Sequence, residues 1–182
     1  MWFAVLFDRR PKRLLEIGVY RGQILSLWAL IARELGYSTE VVGVSPFSSV
    51  GDRVSVYKSI DYQKDVLQHF AHWNLSSPTL HRTLSTAPAA VDLIRGGEWD
   101  IVYVDGNHDY DVVREDLKNA VAGLRPGGIV VADDAALRLK YSPPPFAFQG
   151  HPGPSDGVRD LSEEGVVKLV TFVGHNVILS KK

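Results

Sequence analysis

Apolar positions along this chain switch repeatedly between a strand period and a helix period. Residues 13–17 (RLLEI) read as a first strand, followed by the turn GVYRG. Over 23–35, Ile24, Leu27, Trp28 and Ile31 recur at three-and-four spacing, which predicts a helix stopped by Gly36. A strand at 40–44 precedes 45–60, where Pro, Gly and several Ser predict a loop long enough to be functional. A second amphipathic helix fits 61–73, with Tyr62, Val66, Leu67, Phe70 and Trp73 on one side. A strand at 79–84, a short helix at 89–94 and a strand at 101–104 follow. The spacing of Val113, Leu117, Val121 and Leu124 predicts a helix over 110–124, ended by Arg125-Pro126-Gly127-Gly128 before a strand at 129–132. Such alternation predicts an α/β fold, a parallel sheet covered by helices on both faces.

The C-terminal part breaks this alternation. Residues 142–157 are rich in Pro, Gly and aromatics and predict an irregular loop, with a helix near 158–164. Apolar runs at 166–173 and 177–180 flank Gly174-His175-Asn176, a hairpin signal. No internal repeat or linker divides the chain, so one domain over 1–182 is expected.

Composition narrows the partners. With 182 residues and 45% hydrophobic content the chain can bury a full core. A net charge of −1 and a pI near 6.6 provide no overall basic field for nucleic acid or an anionic membrane, so a small-molecule partner is expected. The absence of cysteine excludes disulfides, thiolate ligands and a cysteine nucleophile, and is compatible with a reducing cytoplasm, the expected location. Met1 to Phe7 is apolar, but Arg9, Arg10, Lys12 and Arg13 follow it, the reverse of a secretory signal. It is also too short to span a bilayer, so a lead-in packed on the domain is expected.

Two strand-like runs end in acid: IVYVD at Asp105, followed by Gly-Asn-His108, and GIVVADD at Asp133 and Asp134. Ligands of parallel α/β sheets bind outside the C-terminal ends of strands, so these groups are expected to share a crevice. Carboxylate oxygens suit Mg²⁺, and three acids meeting without a cation would repel and partly protonate. An Asp pair after a strand also caps a turn or helix, which leaves a metal-free reading open. His108 can serve as a general base, a metal ligand or a loop histidine bonded to Asp109 or Asp111. His151, in the Pro/Gly loop, is a second candidate. His69 and His72 fall on a helix, His81 in a strand and His175 in the hairpin turn. Tyr141, Phe146 and Phe148, with the loop through Gly157, form a candidate lid opposite residues 46–58, although loop aromatics are also often core packing.

The segment LLEIGVYRG places Glu16 at a strand end and Gly18 and Gly22 in a turn that opens a helix, where the backbone can approach a ligand. Its G-x-x-x-G spacing, with Tyr20 between, fails the dinucleotide fingerprint, and Ser45 stands where that fingerprint needs an acid. A nicotinamide oxidoreductase is therefore disfavoured.

Together with LRPGG, the acid-ended strands and the terminal hairpin, this turn resembles the class I S-adenosylmethionine-dependent methyltransferases. EIGVYRGQILSLW and VDGNHDYDVVREDL are similar to the small-molecule and sugar O-methyltransferase branch, methyltransferase family 24, with its macrolide-sugar and rhamnosyl enzymes. The resemblance implies a three-layer Rossmann-like fold with a seven-stranded sheet ordered 3-2-1-4-5-7-6 and an antiparallel C-terminal hairpin. It also implies S-adenosylmethionine bound over Glu16, Gly18, Tyr20 and Gly22, with Glu16 near the methionine amino group. Ser45 takes the position of the usual ribose-binding acid, and Ser85 matches the border of the adenine. As in catechol O-methyltransferase, Asp105, Asp133 and Asp134 would share one Mg²⁺, Asp105 also lying against the cofactor, and His108 would occupy the base position. The implied reaction moves a methyl group to a hydroxyl of a sugar or natural product. A metal-free variant using His108 alone and a non-catalytic binding protein of the same fold remain as alternatives. Because the first strand begins almost at once, little chain is left to cover the acceptor, and a second subunit in a homo-oligomer would supply that cover.

Overall fold

The computed structural model describes residues 1–48, 60–141, 144 and 147–182. Short apolar segments with strand alternation form β1 (Arg13–Ile17), β2 (Glu40–Ser45), β3 (Thr79–Arg82), β4 (Trp99–Val104) and β5 (Leu124–Ala132), all parallel to one another. The hairpin β6 (Val167–Val173) and β7 (Asn176–Lys181) adds antiparallel to β5, giving the order β3-β2-β1-β4-β5-β7-β6. This is the predicted methyltransferase sheet, strand for strand.

Alternation along the strands sorts the core into two layers. Leu14, Ile101, Tyr103, Ile129, Val131 and Ile178 face α1 (Trp2–Arg9), α2 (Gln23–Glu34) and α3 (Tyr62–His72). Leu15, Ile17, Val102, Val104 and Val130 face α4 (Pro88–Gly96), α5 (Tyr110–Ala122) and α6 (Pro152–Glu163). Burying both faces explains why β4 is apolar almost throughout.

Three stretches differ from expectation. The N-terminal lead-in packs on the domain as expected, but as a helix, α1, with Trp2 and Leu6 one turn apart on a single face; Trp2 packs edge-on against Trp28 at 5.0 Å and Tyr103 at 5.1 Å. The Arg-Pro-Gly-Gly stretch does not separate helix from strand but belongs to β5, whose pairing with β4 shifts register between Trp99 and Ile101. The region expected to be loop through Gly157 is already helical from Pro152: prolines at the start of α6 forfeit only amide groups that have no intrahelical partner. Among the described residues, no helix is long and apolar enough to cross a membrane.

Candidate active site at the carboxyl end of the sheet

The turn after β1 is held between its neighbours, with Gly18 N–H donating to Val44 O at 2.9 Å and Asp105 N–H donating to Ile17 O at 2.8 Å. Gly18 has φ +95°, and a Cβ there would lie 2.1 Å from the Asp105 carbonyl oxygen, so only glycine lets these two strand ends meet. Above them opens a cavity of about 560 Å³, lined by Gly18, Tyr20, Ser45, Ser85, Asp105, His108 and Asp134. The remaining expected site residues sit outside its wall. Gly22 caps the N-terminus of α2, Glu16 is buried on the α2 side of β1, and Asp133 stands behind Asp105.

The serines are already engaged with the protein. Ser45 is buried and donates from Oγ to Val19 O at 2.9 Å, which ties the end of β2 to the glycine turn. Ser85 Oγ donates to Asp116 Oδ2 at 2.9 Å. Burial pushes the Asp116 carboxyl up to about 7 even though the Ser85 hydrogen bond opposes the shift.

Glu16, Asp105 and Asp133 form a buried acid cluster, eased only at Asp133, where His175 and a hydrogen bond from Tyr103 oppose the rise. Burial lifts Glu16 to about 8, against the lowering effect of the Leu25 backbone N–H, and Asp133 adds to the rise. Asp105 is held well above the carboxylate range, first by desolvation and then by the charges of Asp133 and Glu16. It lines the cavity yet is largely shielded from water. Asp133 is raised as well, by burial and by Asp134, and it shares a side-chain hydrogen bond with Asp105, so the two carboxyls titrate as a pair.

Around the outer acids stand three histidines. His108 Nε2 lies 3.1 Å from Asp134 Oδ2, and His151 Nε2 lies 3.7 Å from the same oxygen. His175 Nε2 is 3.3 Å from Asp133 Oδ1 and 3.8 Å from Asp134 Oδ1. Asp133 Oδ1 is buried without a hydrogen bond, because His175 approaches it outside hydrogen-bonding geometry. Donor atoms of His108, Asp134 and His151 lie within 4.8 Å of one another, as do those of Asp133, Asp134 and His175. Both sets can accept a divalent cation. Asp105 joins neither set; it meets Asp133 instead.

The fold thus brings Asp105, Asp133, Asp134 and His108 together but adds His151 and His175, the latter read from sequence only as a turn residue. The signal for His151 was its setting in Gly150-His151-Pro152-Gly153; nothing local marked His175. The proposed lid divides. Tyr141 packs against Phe172 at 4.7 Å and donates to Gly174 O at 3.2 Å, which makes it part of the hairpin's packing. Phe148 lies 5.1 Å from the His151 ring and 5.8 Å from that of His175. Phe146 and residues 49–58 of the opposite wall lie outside the described residues, while Pro46, Phe47 and Ser48 line the cavity.

Residues 15–135 match the family described as a methyltransferase domain. The chain belongs to that family. Among solved structures, this methyltransferase domain is similar to the Podospora anserina methyltransferase PaMTH1 bound to SAH, at TM-score 0.68 and 19% identity over 100% of this chain and 76% of that one. It is also similar to the O-methyltransferase TomG of Streptomyces achromogenes, involved in tomaymycin synthesis and solved with SAM, at TM-score 0.60 and 20% identity over 98% of this chain and 76% of that one. The SAH complex of a Bacillus cereus O-methyltransferase gives TM-score 0.62 and 14% identity over 100% and 79%. At such identities these likenesses speak to the fold. A curated relative, the uncharacterized protein y4gI of Sinorhizobium fredii, is 26% identical over 138 residues, 76% of this chain but only 14% of that protein's length.

Proposed function

We propose that this methyltransferase domain moves a methyl group from S-adenosylmethionine to a hydroxyl of a small molecule, of the sugar or natural-product kind. One observation carries the reading: a single cavity of about 560 Å³ joins the glycine turn after β1 to His108 and Asp134, so a cofactor over the turn points toward a cluster able to handle a proton. Gly18, Tyr20, Ser45, Ser85 and Asp105 would form the cofactor side. The acids behind the turn suit the cationic methionine end: an ammonium group near Glu16 and Asp105 would offset the burial and the mutual repulsion that raise both carboxyls.

The sulfonium carries the intrinsic reactivity, and the protein supplies alignment, worth roughly 7–11 kcal/mol in well-oriented reactions. His108, oriented by Asp134 across 3.1 Å, is placed to take the acceptor proton. A divalent cation at the histidine and aspartate cluster would instead lower the pKa of the acceptor hydroxyl directly.

Calorimetric titration with S-adenosylmethionine or its demethylated product, first with Mg²⁺ and then with EDTA, tests the reading. Binding is expected, and no heat in either condition would overturn it. Methyl transfer to hydroxylated acceptors then separates an enzyme from a binding protein of the same fold.

A further inference from the structure

We infer that the cluster around Asp134 is a transition-metal site of two imidazoles and one carboxylate, selective for a borderline divalent ion such as Zn²⁺, Fe²⁺ or Co²⁺ over Mg²⁺. The inference deepens the proposed function by naming the cation. It rests on that reading only for what the ion does, not for its binding.

The donor chemistry argues first. Mg²⁺ takes hard oxygen ligands and keeps several waters, whereas imidazole nitrogen suits Zn, Fe, Co and Ni. His108, His151 and Asp134 each offer one donor atom, all within 4.8 Å of one another, and the two Nε2 atoms lie 3.1 and 3.7 Å from Asp134 Oδ2. Two nitrogens and one carboxylate oxygen leave positions open for water or an acceptor oxygen, as catalytic metal centres do. The imidazole rings meet edge to face at 4.6 Å and 68°.

The backbone has been shaped to bring these groups together. Asp134 is a non-glycine residue at φ +51°, an uncommon conformation that turns it toward the histidines. His151 N–H donates to Asp134 O at 2.8 Å, and Ala136 N–H donates to Gln149 O at 3.0 Å, holding the two segments side by side. Glycines flank His151 where the approach is closest. A Cβ at Gly150 would lie 2.0 Å from Asp134 O, and one at Gly153 would lie 2.0 Å from His108 O. Larger residues at either position would push His151 away from one of its two partners. Asp133 and His175 extend the cluster from Asp134 on its other side, with His175 Nε2 3.3 Å from Asp133 Oδ1 and 3.8 Å from Asp134 Oδ1.

The test is titration of the full chain with Co²⁺, read by its visible d–d absorption. A saturable band is expected, quenched by Zn²⁺ and unaffected by a large molar excess of Mg²⁺. His151→Gln, which keeps a polar side chain, should weaken Co²⁺ by at least the roughly 10- to 100-fold that even outer-shell changes cost a metal site. Circular dichroism of the same samples reports that each variant is folded, and binding of S-adenosylhomocysteine is measured beside it. Absence of the Co²⁺ band, its displacement by Mg²⁺, or unchanged Co²⁺ affinity in folded His151→Gln would overturn the inference. Loss of S-adenosylhomocysteine binding with the Co²⁺ band intact would overturn the cofactor reading alone.

Discussion

Asp100 and Asp105 stand at opposite ends of β4 and face opposite demands. At the amino end, Asp100 is buried but paired: its Oδ2 accepts the backbone N–H groups of Lys12 and Arg13 at 2.7 and 2.8 Å, and Arg125 forms an ion pair with its other oxygen, outside hydrogen-bonding geometry. At the carboxyl end, Asp105 is packed against Asp133 and near Glu16, with no cationic side chain among the causes that set its ionisation. The first carboxylate fastens the lead-in of β1 to the sheet. The second is a buried carboxyl whose ionisation is opposed by burial and by its acidic neighbours, the kind of perturbed group that gathers at functional sites. Stability and function are thus written on one strand at its two ends, and substitutions should separate them.

The largest effect is expected at the paired end. Asp100→Ala strands two backbone donors and Arg125, and should cost about 3–5 kcal/mol in urea denaturation while leaving S-adenosylhomocysteine affinity in the folded fraction unchanged. The carboxyl end should behave in the reverse sense. Burial raises Glu16 from 4.5 to about 8, so between those values the folded state holds a proton that the unfolded state releases. The contribution of Glu16 is therefore complete below about 4.5 and is lost as pH rises through about 8, amounting to a few kcal/mol at most. Thermal unfolding of Glu16→Gln should show that slope flattened, and an unaltered slope would assign it to other groups.

Asp105→Asn sharpens the contrast further. Removing one of two touching acids should leave stability near neutral pH unchanged or raise it by about 1 kcal/mol, while calorimetry shows weaker cofactor binding. Ser45→Ala is the mildest change, about 1 kcal/mol for a hydrogen bond to Val19 O, and would blur the comparison only if cofactor affinity fell in step.

The sequence was informative wherever a property repeats locally. The sheet order, the positions of Asp105, Asp133 and Asp134 at strand ends, and the amphipathic faces of α2, α3 and α5 all follow from short-range periodicity or from resemblance. α1 escaped because an eight-residue helix shows scarcely two turns of pattern, and α6 because Pro152, Gly153 and Pro154 look like loop until proline is seen to be harmless in a first helical turn. The histidine cluster was the least legible part. His108 comes from the segment after β4, His151 from the cap of α6 and His175 from the turn between β6 and β7, and only the folded topology makes them neighbours. The commitment of Ser45 to Val19 is equally a tertiary fact: its position invited a ribose contact, but which partner takes its proton is decided across two strands.

The place of β7 has a consequence for how the chain is made. β7 lies between β5 and β6, although it follows both in sequence. A nascent chain that has emerged only through β6 leaves β5 with a bare, apolar edge, including Ile129, Val130 and Val131, able to pair with a neighbouring chain. Translation must therefore pass residues 176–181 before that edge is sealed, and the same insertion seats the His175 turn against Ala135, where its carbonyl accepts the Ala135 N–H at 2.9 Å. Closure of the sheet and completion of the histidine cluster both wait on the same strand.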